Sequence, residues 1–251
     1  MILPQNEKLS IQALSRVFSD MSESYKIFWF SGILDVIKAG RRSVTYDEII
    51  NHMITDAWYM VSEYHLNLGP SDTLEKLVLH TQQTSGLKSS ATSQDILGYL
   101  SSCSDPQLAK YKSTLTINVP YRFQAPFIPD FKGNAWSRIS NVVNRINADS
   151  GVIYHFGQGA GLNRTIEISN KWQEYFAENQ AIITDWLEYN LITYLQKRNP
   201  SVPGISSKLS PPTERKLDKE KKFWRSVIEY KQDIGANQRE CTHAPFPVSP
   251  F

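Results

Sequence analysis

Thr45-Tyr-Asp-Glu-Ile-Ile-Asn-His-Met-Ile-Thr-Asp-Ala-Trp58 is the stretch whose reading decides the fold class. A Thr hydroxyl and a Glu carboxylate three residues apart can satisfy each other's backbone donors, so Thr45 and Glu48 form a capping box at a helix start. Ile49, Ile50, Met53, Ile54, Ala57 and Trp58 then recur at helical spacing. Upstream, Tyr25, Phe28, Trp29, Ile33 and Ile37 predict a helix over 24–39, stopped by Gly40. A shorter helix precedes it from Ile11 to Phe18. Downstream, two more run from Asp72 to Thr84 and from Ser93 to Ser102, parted by the polar loop Thr84-Ser-Gly-Leu-Lys-Ser-Ser-Ala-Thr92. Pro106 suits the first turn of a helix reaching Lys112. Residues 1–113 therefore read as a helical region.

The pattern changes at Thr114. Pro120, Pro126 and Pro129 forbid one continuous helix, and 114–133 reads as an extended connector. From 134 to 234 helices return. Trp136, Ile139, Val142, Val143 and Ile146 mark one of them. Gly151-Val-Ile-Tyr-His-Phe156 and Arg164-Thr-Ile-Glu-Ile168 flank a glycine-rich loop and predict a β-hairpin. Trp172, Tyr175, Phe176, Ile182, Ile183, Trp186, Leu187, Leu191, Tyr194 and Leu195 predict one long helix over 169–196, which Asn199-Pro200 must end. Pro211-Pro212 opens a last helix to Tyr230, with Leu217, Trp224, Val227 and Ile228 on its apolar side. Residues 235–251 hold three prolines and no periodicity, which predicts a disordered tail. No internal repeat is found. The fold class expected is mainly α (α+β): a helical domain with one small β-hairpin and a long helix in its C-terminal half.

At 251 residues, 41% hydrophobic and 12% aromatic, the chain has the apolar content to bury a sizeable core. No apolar run approaches the ~20 residues needed to cross a bilayer, and the N-terminus lacks a basic stretch followed by an apolar one. Cys103 and Cys241 lie far apart, against a disulfide framework and in keeping with a reducing compartment, so a cytoplasmic location is expected. The net charge of +2 decides nothing by itself. Its distribution does more. Lys197, Arg198, Lys208, Arg215, Lys216, Lys219, Lys221 and Lys222 face only Glu214, Asp218 and Glu220 over the same span. That run reads either as a phosphate-binding patch or as a solvated helix face.

Other candidate chemistry is sparse. Gly157-Gln-Gly-Ala-Gly161 lacks the Lys-Ser/Thr pair and the following helix of a phosphate loop, and reads as a hairpin turn. Glu48, His52 and Asp56 follow i, i+4, i+8 spacing on one helix, as a metal or general-base group requires, though paired charges on a solvated face give the same spacing. Cys241-Thr-His243 lacks further ligands nearby to define a metal site. His65, His80 and His155 stand alone and read as structural. No Gly-x-Ser-x-Gly elbow occurs. The six tryptophans fall mostly on apolar stripes, which points to core packing over base stacking.

Several pieces in order resemble one family: Tyr25-Lys-Ile-Phe-Trp-Phe30, Ala57-Trp58-Tyr59, Val119-Pro-Tyr-Arg-Phe123, Trp186-Leu-Glu-Tyr-Asn-Leu-Ile-Thr-Tyr-Leu-Gln-Lys-Arg-Asn-Pro200, Val202-Pro-Gly204 and Phe223-Trp224. Together they resemble the long N-terminal region of bacterial HNH endonuclease domain proteins. In that family the resemblance implies a following ββα-metal module with an Asp-His-Phe-x-Pro-Trp type signature, where a His activates water and a divalent metal holds the scissile phosphate. No His in this sequence follows an Asp, so no catalytic residue is carried over. The expectation is a DNA-binding or scaffold portion, truncated before that module and inactive as a nuclease alone. Its metal would belong to the module, and its partner would be double-stranded DNA held by the basic residues above. Two alternatives stand beside it. One is a protein–protein module using Leu217, Trp224 and Ile228 to meet a second copy or another subunit. The other is a metalloenzyme at Glu48, His52 and Asp56.

Overall fold

The structure is a computed structural model in which residues 2–19, 21–128 and 138–212 are described. The capping box forms as read. Thr45 Oγ1 accepts from the Glu48 amide at 3.2 Å, and Glu48 Oε2 accepts from the Thr45 amide at 2.9 Å. It opens α3 (Tyr46–Ser62), whose apolar positions Ile49, Ile50, Met53, Ile54, Ala57 and Trp58 are all buried.

Two helices precede it, α1 (Ile11–Ser15) and α2 (Tyr25–Lys38). Gly32, in the middle of α2, is what lets α2 and α3 approach. A Cβ there would stand 3.0 Å from Ile49 Cγ2 and 3.2 Å from the Ile49 carbonyl oxygen. After α3 come α4 (Thr73–Ser85), α5 (Ser93–Ser102) and α6 (Pro106–Leu115), each opened by an Asp or Thr side chain that accepts from first-turn amides. Asp72 does this for α4 and also accepts from the Ser24 hydroxyl at 2.7 Å, which ties the starts of α2 and α4 together.

The predicted extended connector is corrected. It holds a helical turn, α7 (Val119–Arg122), and a 3₁₀ turn at Ala125–Phe127. Pro120 and Pro126 sit in the first turns of these, where a missing N–H breaks no bond. The segment is also part of the core: Val119, Tyr121, Phe123, Phe127 and Ile128 are buried. Residues 129–133 of the connector lie outside the described residues. So do the start of the next helix at Trp136, the predicted last helix and the tail. The described part of that next helix is α8 (Ile139–Asn147).

The hairpin is present as β2 (Tyr154–Phe156) and β3 (Thr165–Ile168), antiparallel with Tyr154 opposite Ile168. A third strand, β1 (Ser43–Thr45), pairs antiparallel with the other edge of β3, giving the order β1-β3-β2. The N-terminal helical region and the later part of the chain thereby share one sheet. They also share one continuous hydrophobic core from Leu3 to Ile205. Residues through Pro211 form one compact unit.

The predicted long helix is two: α9 (Asn170–Glu178) and α10 (Gln180–Arg198). Asn179 breaks it, because its side-chain amide donates to the Tyr175 carbonyl at 2.9 Å and its backbone leaves helical angles. The end of α10 is clasped by Asn199, which donates to the Asn67 carbonyl at 3.0 Å and accepts from the Asn67 amide at 2.8 Å. Phe18, Phe30, Phe123, Phe176 and Trp186 stack or meet edge-on between α2, α7, α9 and α10. The described chain is thus mainly helical with a small antiparallel sheet. Among its described residues, no helix is long and apolar enough to cross a membrane.

Candidate functional site

Three of the eight basic candidates fall within the described residues. Lys197 and Arg198 occupy the last turn of α10, where two cations also complement the negative end of the helix dipole. With Asn190, Thr193 and Tyr194 of the same helix, and Phe18, Ser19 and Met21 opposite, they line a cavity of about 320 Å³. Arg198 is held in place there. Its Nη2 donates to the Ser22 carbonyl, and its guanidinium stacks over the Tyr194 ring at 5.4 Å. Tyr194 is itself anchored by donating to the Leu68 carbonyl at 2.6 Å. A guanidinium has five N–H donors, so this fixation leaves others for an anion. Lys197 is exposed on the rim.

Lys208 is differently placed. Its ammonium donates to the Pro203 carbonyl at 2.5 Å and the Gly204 carbonyl at 3.3 Å, and lies 5.3 Å from the Tyr64 ring centroid. Its donors mostly serve its own loop. Arg215, Lys216, Lys219, Lys221 and Lys222 lie outside the described residues, as do Leu217, Trp224 and Ile228 of the predicted interaction face and Cys241 and His243.

The second candidate group, Glu48, His52 and Asp56, is divided by the fold. Glu48 is used by the capping box and by Arg41, whose Nη2 is 2.8 Å from Glu48 Oε1. Burial works against its charge, but the Thr45 amide and Arg41 outweigh that and hold its carboxyl below the usual range. His52 turns to a residue that its own helix does not supply: its Nδ1 is 3.3 Å from Asp35 Oδ2 on α2. Hydrogen bonding to Asp35 raises the imidazole above its ordinary value, against the opposing effect of burial. Asp35 is lowered: burial opposes its charge, and His52 and Lys38 overcome it. Lys38 Nζ is 3.2 Å from Asp35 Oδ1.

Asp56 lies behind this pair. Its Oδ2 is shut off from solvent with no hydrogen-bond partner among the described residues, while Ser31 hydrogen-bonds the carboxyl. Burial, then the nearby Asp35 charge, pushes its pKa up to about 7. Among the described residues no group of three or more His, Cys, Asp or Glu side chains is placed to hold a metal ion.

The spacing rule that grouped Glu48, His52 and Asp56 missed Asp35, because that residue comes from another helix. The only sequence signal available was an acid, Asp35, in the otherwise apolar run from Ile33 to Ile37.

Elsewhere among the described residues, the histidines and the Gly157–Gly161 glycines sit in local contacts and turns. His80 Nε2 lies 2.5 Å from Asp105 Oδ2, while Oδ1 of the same carboxylate caps α6. His155 contacts the Asp149 carbonyl at 2.9 Å. His65 takes a positive φ of 50° just after α3. The Gly157–Gly161 loop is a turn, as read. Gly159 has φ +91°, and a Cβ there would come 2.3 Å from the Asn163 carbonyl oxygen.

Comparison of the chain with protein-family models, with curated proteins and with solved structures finds no match.

Proposed function

We propose that this chain is a DNA-binding scaffold of the HNH endonuclease type, gripping the phosphate backbone through the end of α10 and the basic segment that follows. The observation that supports it most is the cavity where Lys197 and Arg198 meet Asn190 and Thr193, with Arg198 fixed in advance by Ser22 and Tyr194. A pre-positioned guanidinium loses little side-chain freedom on meeting a phosphate. Lys208 adds charge only at the cost of its loop contacts. The candidates from Arg215 to Lys222 extend the same patch along the sequence. The family assignment rests on the sequence pieces alone. A cytoplasmic and bacterial setting belongs to the same reading.

Contacts of this kind read no sequence and weaken with salt, because each neutralised phosphate releases counterions. The test is a gel shift on duplex DNA across a salt series. Binding that falls steeply with salt is expected. Lys197→Ala should weaken it and reduce the log–log slope by about 1, and the combined Lys219, Lys221 and Lys222 to Ala change by about 3. Absence of binding at low salt, or affinity indifferent to salt, removes the reading.

A further inference from the structure

His52, Asn51 and Glu48 on α3 face Gln94, Leu97, Gly98 and Ser101 on α5 across an open groove of about 540 Å³. Two features of this groove bear on chemistry. The first is the imidazole, with Nδ1 turned to Asp35 behind it, which leaves Nε2 as the ring nitrogen available to the groove. A carboxylate on Nδ1 fixes the tautomer in which Nε2 accepts a proton. The second is Gly98 on the opposite wall, which leaves open space where any other residue would place a side chain.

We propose that this groove is a general-base hydrolytic site for small neutral carboxylic esters. His52 is its catalytic residue and Asp35 its positioning residue. A water in the groove donates a hydrogen bond to His52 Nε2, which takes its proton. As Nε2 takes the proton, the water oxygen bonds to the acyl carbon and the carbonyl electron pair moves onto its oxygen. The Gln94 amide donates to that oxyanion. When the pair returns, the bond from carbon to the alcohol oxygen breaks, and the imidazolium gives its proton to the departing oxygen. Ester and water become acid and alcohol, and Asp35 stays a carboxylate throughout. The substrate class follows from the walls. Gln94, Asn51 and Ser101 are uncharged, Leu97 is apolar, and Glu48 at one end disfavours an anion.

The probe is p-nitrophenyl acetate with the full chain. Turnover above that of an equal concentration of free imidazole is expected, with a loss of about 100-fold in His52→Gln. Gly98→Leu fills the groove without touching the imidazole, and the exchange favours helix, so it should fold normally while losing a similar factor. The wild-type rate should rise with pH about a midpoint above 6.5, because Asp35 raises His52. Asp35→Asn should move that midpoint downward, which a merely structural role would not do. A wild-type rate no greater than imidazole, an undiminished rate in folded Gly98→Leu, or a midpoint unmoved by Asp35→Asn overturns the proposal.

Discussion

Gly32 shows how much one missing methyl group can decide. In a helix interior, replacing Gly by Ala ordinarily gains up to about 1 kcal/mol. Here the new Cβ would press on Ile49 Cγ2 and on its carbonyl oxygen, and a backbone oxygen inside α3 cannot move aside. Gly32→Ala should therefore destabilise by roughly 1–3 kcal/mol, read from the urea midpoint, and it should loosen the Asp35–His52 contact one turn away. The same position explains what was legible at the candidate site. Helical spacing placed His52 correctly on α3, and Glu48 does share its groove. Its true partner, Asp35, is visible only once α2 lies against α3, and no periodicity within one helix reports a neighbour on another. Lys197 and Arg198 were legible as charges. That Arg198 is fixed by Ser22, and Lys208 taken up by its own loop, depends on tertiary contacts that composition does not carry.

Among the elements, those with local signals were read well and those defined by long-range contacts were not. Thr45 and Glu48 announce α3 because the cap lies within four residues. The β2–β3 hairpin is announced by glycines at its turn. The three-residue β1 is too short to show alternation, and exists because β3 offers it an edge. The connector misled for a different reason. Prolines exclude helix interiors but are welcome in first turns, and only burial shows which applies. Gln124 holds this segment down: fully buried, it donates to the Tyr154 carbonyl at 2.6 Å and accepts from the Ile153 amide at 3.1 Å. Gln124→Leu keeps the bulk but strands both backbone groups. A loss of about 2–4 kcal/mol is expected, with faster amide exchange at Ile153.

For the molecule as a whole, the buried acid sets the response to pH. Asp56 titrates near 7 in the folded chain and near 3.9 when unfolded, so between these values the folded state binds the extra proton. Stability should therefore fall as pH rises through that window, by up to about 1.4 kcal/mol per pH unit. His52 adds in the same direction, its raised value contributing below about 6.5 and being lost above it. Asp35 acts oppositely and only in stronger acid, where protonation of its lowered carboxyl removes its contacts. Melting temperature should thus be highest near pH 4–5 and decline toward pH 8. Asp56→Asn, which imitates the neutral acid, should flatten most of that decline; an unchanged slope would place the titration elsewhere. The β1–β3 pairing carries a consequence of another sort, because Ser43 and Glu167 are 124 residues apart. At about 5–20 residues per second on the ribosome, the nascent chain waits roughly 6–25 s between emergence of these two positions. Throughout vectorial synthesis the early helices are left without their closing strand, an interval in which a chaperone has its clearest opportunity to engage them.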